Sequence, residues 1–88
     1  MKEQLDNESL QAFTRGEQKG FSAVYSLYYQ QIRYFTYKLT NNNMQEAEDI
    51  TITTFVKLFR LHKNFSTQAN IKAFLYITAR NTLSLIHI

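Results

Sequence analysis

Downstream of Ile50 the chain carries five cations, Lys57, Arg60, Lys63, Lys72 and Arg80, and no acid. All seven acids, Glu3, Asp6, Glu8, Glu17, Glu46, Glu48 and Asp49, come earlier. A half-chain so unbalanced attracts a polyanion. Between Lys63 and Lys72 stand Ser66, Thr67, Gln68, Ala69 and Asn70, whose hydroxyls and amides both donate and accept hydrogen bonds. Bond-making chemistry has no counterpart here. There is no Gly-rich phosphate loop, no metal-ligand cluster and no nucleophile with a His and an acid to serve it. With no Cys in the sequence, a disulfide framework and a thiolate metal site are also excluded. His62 has no second ligand at metal-binding spacing and is read as an exposed residue in a helix's last turn. These residues indicate a binding protein that needs no cofactor, rather than an enzyme.

The elements that must position these groups are helical. In 88 residues there is no Pro and only Gly16 and Gly20, too few turn formers for a small sheet protein. A first short helix is expected from Asp6 or Asn7, its stripe Leu10 and Phe13, stopped at Gly16. A second runs from about Gln18 to Thr40, with Phe21, Val24, Tyr28, Ile32 (or Gln31), Phe35 and Leu39 at spacings of three and four. Tyr25, Tyr29, Tyr34 and Tyr37 are expected to thicken that face. Asn41-Asn42-Asn43 ends it and begins the third helix, and Asn43 with Glu46 makes a loose capping box. The third spans Met44 to Lys63, with Ala47, Ile50, Thr54, Leu58 and Leu61 inward and Phe55 and Phe59 beside them. Residues 64–70 read as a polar loop anchored by Phe65. The fourth starts near Asn70 or Ile71, with Ile71, Phe74, Leu75 and Thr78 inward.

The chain is read as one domain over residues 1–82. The hydrophobic fraction of 44% suits a packed core rather than a disordered tail. No apolar run approaches the roughly 20 residues that span a bilayer. The opening residues lack the apolar stretch of a secretion leader, so a cytoplasmic protein without membrane contact is expected. Leu83-Ser84-Leu85-Ile86-His87-Ile88 is the in-frame translation of CTG TCT CTT ATA CAC ATC, a transposase sequencing-adapter end. Residues 83–88 are therefore expected to be read-through, with the last helix truncated, and His87 is given no role.

Two segments, Ala47-Glu48-Asp49-Ile50-Thr51-Ile52-Thr53-Thr54-Phe55-Val56-Lys57-Leu58-Phe59 and Phe74-Leu75-Tyr76-Ile77-Thr78-Ala79-Arg80-Asn81, together with the Phe21…Leu27-Tyr28 stretch, carry a family resemblance. They resemble region 2 of bacterial sigma factors of the extracytoplasmic-function type, over about residues 8–82. The resemblance implies an all-α fold, a compact bundle of three long helices and a short N-terminal one. It also implies docking on the clamp helices of the RNA polymerase β′ subunit and recognition and melting of the promoter −10 element. An anti-sigma factor is a further implied partner. Carried over by position, Glu48, Asp49, Ile52, Thr53 and Lys57 fall on the polymerase-facing surface. Ser66, Thr67, Gln68, Ala69 and Asn70 fall on the loop that cradles a flipped base. Lys72, Tyr76, Arg80 and Asn81 fall on the strand-contacting face of the fourth helix. Ile52-Thr53 stand where the family often has Gln-Glu, which removes a polar pair and a charge from the docking face. The family's second domain, which reads the −35 element, has no counterpart in this sequence.

The residue types suit that role physically. Cations track phosphates, planar faces stack bases at about 1–3 kcal/mol each, and an extruded base needs amide or hydroxyl partners. Simpler explanations compete at several positions. Glu46, Glu48 and Asp49 complement the dipole of the third helix, as do Lys57, Arg60 and Lys63 at its other end. Tyr76 divides between core and DNA, and Asn81 suits a helix terminus. The alternative function is a small helical protein–protein interaction domain with no specific DNA binding.

Overall fold

The computed structural model describes residues 4–86, with side chains to residue 84; His87 and Ile88 lie outside them. The helices are α1 (Asn7–Thr14), α2 (Gln18–Leu39), α3 (Met44–Arg60) and α4 (Gln68–Ile86), with a 3₁₀ turn at His62–Asn64. No strand occurs among the described residues, and the fold is all-α as the sequence indicates. α4 continues through the segment expected to be read-through, and Leu83 packs against the core.

Each boundary has a local cause. Asp6 accepts the Ser9 N–H at 2.8 Å and caps α1, a bond that also holds its carboxyl below the usual carboxylate range. After α1 the chain reverses at Gly16 (φ 78°), where the Glu17 N–H returns to the Ala12 carbonyl at 3.0 Å. That is the left-handed helix stop read from the sequence. Asn41 and Asn42 take φ of 58° and 64°, and Asn43 accepts the Glu46 N–H at 3.1 Å to open α3. Asn tolerates this region better than other side-chain-bearing residues, so three in a row make a compact helix-to-helix turn.

α2 is the spine, touching α1, α3 and α4. The core is Phe13 from α1, Val24, Tyr28 and Ile32 from α2, Ile50, Phe55 and Leu58 from α3, and Ile71, Leu75 and Ala79 from α4. Leu58 is fully buried, so Leu58→Ala is expected to cost about 2–5 kcal/mol, checked by denaturant unfolding.

Several sequence expectations need correction. Tyr34 and Leu39 face solvent, and Tyr25 is more exposed than buried helix residues around it. The α2 stripe ends instead on Thr36, fully buried, whose hydroxyl lies 3.1 Å from that of Thr51. Thr51 and Thr54 are also fully buried, donating to the Ala47 and Ile50 carbonyls at 2.7 and 2.8 Å. Bonded to their own helix, they present methyl groups to the core.

α3 stops at Arg60, three residues before the expected end, and Leu61 turns outward. The cause is His62, which is half-buried rather than exposed. Its Nδ1 sits 2.9 Å from the Thr14 carbonyl oxygen, and its ring packs edge-on to Phe21. Residues 68–70, expected in the loop, form the first turn of α4. Thr67 makes this possible by accepting the Asn70 N–H on its hydroxyl at 3.1 Å.

Candidate functional site

Two surfaces collect the residues singled out in the sequence. The first is the outer side of α3. Ile50, Thr51, Thr54, Phe55 and Leu58 point inward, and Glu48, Asp49, Ile52, Thr53 and Lys57 are all exposed. The helical period sorts one continuous stretch of sequence into a core face and a free face. Along the free face charge runs from acidic to basic, and its middle is apolar. Ile52 is 50% exposed and Val56, one turn further on, is 42% exposed. Val56 was missed in the sequence, although its i+4 spacing from Ile52 could have found it.

The flank of this face toward α2 is aromatic. Tyr25 and Tyr29 stack at 4.8 Å, and Tyr25 meets Phe55 edge-on at 5.2 Å. Burial pushes the Tyr29 phenol up from its usual pKa, with Tyr25 and the negative charge of Glu48 adding to the effect.

The second surface is the loop and α4. Phe65 anchors the loop, as expected: its ring meets Phe74 edge-on at 5.1 Å and its carbonyl accepts the Thr14 hydroxyl. Ser66, Thr67, Ala69 and Asn70 are exposed. Gln68 is turned inward, its Oε1 accepting the Leu5 N–H and its Nε2 donating to the Tyr28 hydroxyl, both at 2.8 Å. A polar residue in a polar stretch gave no sign of this partnership with residues so distant in sequence.

The α4 residues do not share one stripe. Lys72, Tyr76 and Arg80 follow each other at intervals of four, so they line one edge. Lys72 and Arg80 are exposed; Tyr76 is half-buried, edge-on to Phe35 at 4.8 Å, with its hydroxyl 3.4 Å from the Gln31 amide oxygen. Asn81 is exposed on the opposite edge, where it lines an open groove of about 470 Å³ with Lys57 and Arg60 across from it on α3. Ile77, 58% exposed, lies between the two edges. Chemically, α4 offers cations for phosphates, amides for base edges and an apolar strip between them.

Among the described residues, no group of His, Cys, Asp and Glu could hold a metal ion, and no helix is long and apolar enough to cross a membrane. The family described as Sigma-70 region 2 matches residues 24–84, which takes in both surfaces. No curated protein and no solved structure matches the chain.

Proposed function

Because the chain belongs to the sigma-70 region 2 family, we propose that it acts as an extracytoplasmic-function type sigma domain that docks on the polymerase β′ clamp helices and melts the −10 element. The family's role is in transcription initiation, with RNA polymerase core and promoter DNA as partners, and its region 2 is a non-catalytic domain. In this reading Glu48, Asp49, Ile52, Thr53 and Lys57 make the dock. Ser66, Thr67, Ala69 and Asn70 meet an extruded base, with Gln68 behind them. Lys72, Tyr76, Arg80 and Asn81 hold the strand. The site of action is the cytoplasm, and an anti-sigma factor is a further partner.

The observation that supports the reading most is the sorting on α3. Every residue matched to docking is exposed, while Ile50, Thr51, Thr54 and Phe55 among them are buried in the core. Opening DNA this way consumes no nucleotide, because captured bases offset the lost stacking.

The test is titration of the chain against isolated β′ clamp helices by calorimetry and against a −10-like single strand by fluorescence anisotropy. Saturable binding to both supports the proposal. Lys72→Ala and Arg80→Ala are each expected to weaken binding on all sequences alike and to lower the salt slope by about 0.7. Asn70→Ala is expected to change base preference more than overall affinity. Absence of any strand binding by the folded chain would favour the interaction-domain alternative, which the exposed Ile52 and Val56 otherwise suit.

A further inference from the structure

Beside the loop is a pocket of about 320 Å³ lined by Gln4, Tyr28, Gln68, Ala69 and Lys72. At about 30 Å³ per water it has room for roughly ten waters, enough for a planar ring of base size. One wall comes from the segment that precedes α1. Gln4 is exposed there, and Leu5 beside it packs against the core while giving its N–H to Gln68. Gln68 has both ends of its amide engaged, with Leu5 on Oε1 and Tyr28 on Nε2, so the orientation of the group is fixed. Tyr28 in turn is only 2% exposed and belongs to the core. A chain of two hydrogen bonds thus ties the N-terminal segment, the first turn of α4 and the middle of α2 together.

We infer that the Gln4–Leu5 segment is a specificity element of the DNA-reading edge, with Gln4 contacting an unpaired nucleobase in this pocket and Gln68 acting as its positioning residue. This rests on the DNA-binding reading above. The pocket chemistry suits that ligand. Gln4 supplies an amide that donates and accepts toward a base edge, Ala69 leaves space for the ring, and the exposed Lys72 ammonium stands at the rim for the adjoining phosphate. Gln68 is half-buried with both ends of its amide already engaged, so its influence on base choice passes through the segment it holds.

The experiment measures anisotropy of labelled −10-like single strands in which each position is varied in turn through the four bases, using the full chain. Gln4→Ala, a change at an exposed side chain, is expected to reduce a preference of about five- to tenfold at one position to under twofold, the loss of one hydrogen bond. Affinity for the remaining bases should stay the same. Gln68→Met, which cannot hold Leu5, is expected to flatten the same position. Gln68→Glu, whose carboxylate still accepts the Leu5 N–H while the Tyr28 hydroxyl turns to donate, is expected to restore it. If Gln4→Ala leaves every base ratio unchanged while Lys72→Ala still weakens binding, the segment has no reading role and DNA binding stands. If the wild-type chain binds no single strand, both readings fall.

Discussion

Asp49→Arg is expected to weaken binding to isolated β′ clamp helices by on the order of a hundredfold, because like charges brought together at an interface cost several kcal/mol. Stability should change little. Asp49 is exposed and lies in the second turn of α3, beyond the first turn where the helix dipole acts on a charge. The measurement is calorimetric titration alongside thermal unfolding of the same variant. Unchanged affinity at unchanged Tm would remove the acidic end of α3 from the dock. The Ile52 and Val56 patch should then carry whatever binding remains, and Ile52→Asp would be the next variant to make.

Gly20→Ala is expected to destabilise the fold by about 3 kcal/mol, a fall in Tm of roughly 10–20 °C. A Cβ at Gly20 would lie 2.0 Å from the Phe13 nitrogen and 2.4 Å from its Cα. These are backbone atoms of α1, so no side-chain rotation relieves the clash, and the two helices must separate. The sign makes the test decisive. In an uncrowded helix interior, Gly to Ala stabilises by about 1 kcal/mol. Thermal unfolding that showed a gain, or no change, would mean α1 does not sit against α2 at this distance.

Periodicity and turn chemistry were readable because they are local. The Asn run announced the α2–α3 turn, Asp6 and Gly16 bracketed α1, and the spacing of Ile50, Thr54 and Leu58 gave the buried face of α3. The docking candidates came from the family resemblance, and the same spacing leaves them on the opposite, exposed face. What escaped depends on contacts across the fold. Gly20 looks like a weak point in a helix until the crossing with Phe13 is known. His62 looks like a last-turn residue until the Thr14 carbonyl draws it in, and Leu61 loses its inward place with it. Gln68 belongs by composition to a loop, yet its partners are Leu5 and Tyr28. On α4, the separation of Asn81 from Lys72 and Arg80 is a matter of helical angle once the helix start is fixed. The start itself was placed two or three residues late, because Thr67 as a cap resembles any other loop hydroxyl.

The bonds of α1 and the segment before it have a consequence for how the protein is made. Thr14 meets Phe65 and His62, and Leu5 meets Gln68, across sequence separations of 51, 48 and 63 residues. Synthesised ahead of them, α1 and the segment before it thus find these partners only after α2 and α3 have both been produced. At about 5–20 residues per second, that is a wait of roughly 3–10 seconds on the ribosome, against about a microsecond for a helix to form. During that interval Phe13 is without Phe59, one of its ring neighbours in the finished fold, 6.1 Å away. Translation speed across α3, rather than the intrinsic folding rate, sets how long this aromatic surface remains open to wrong partners.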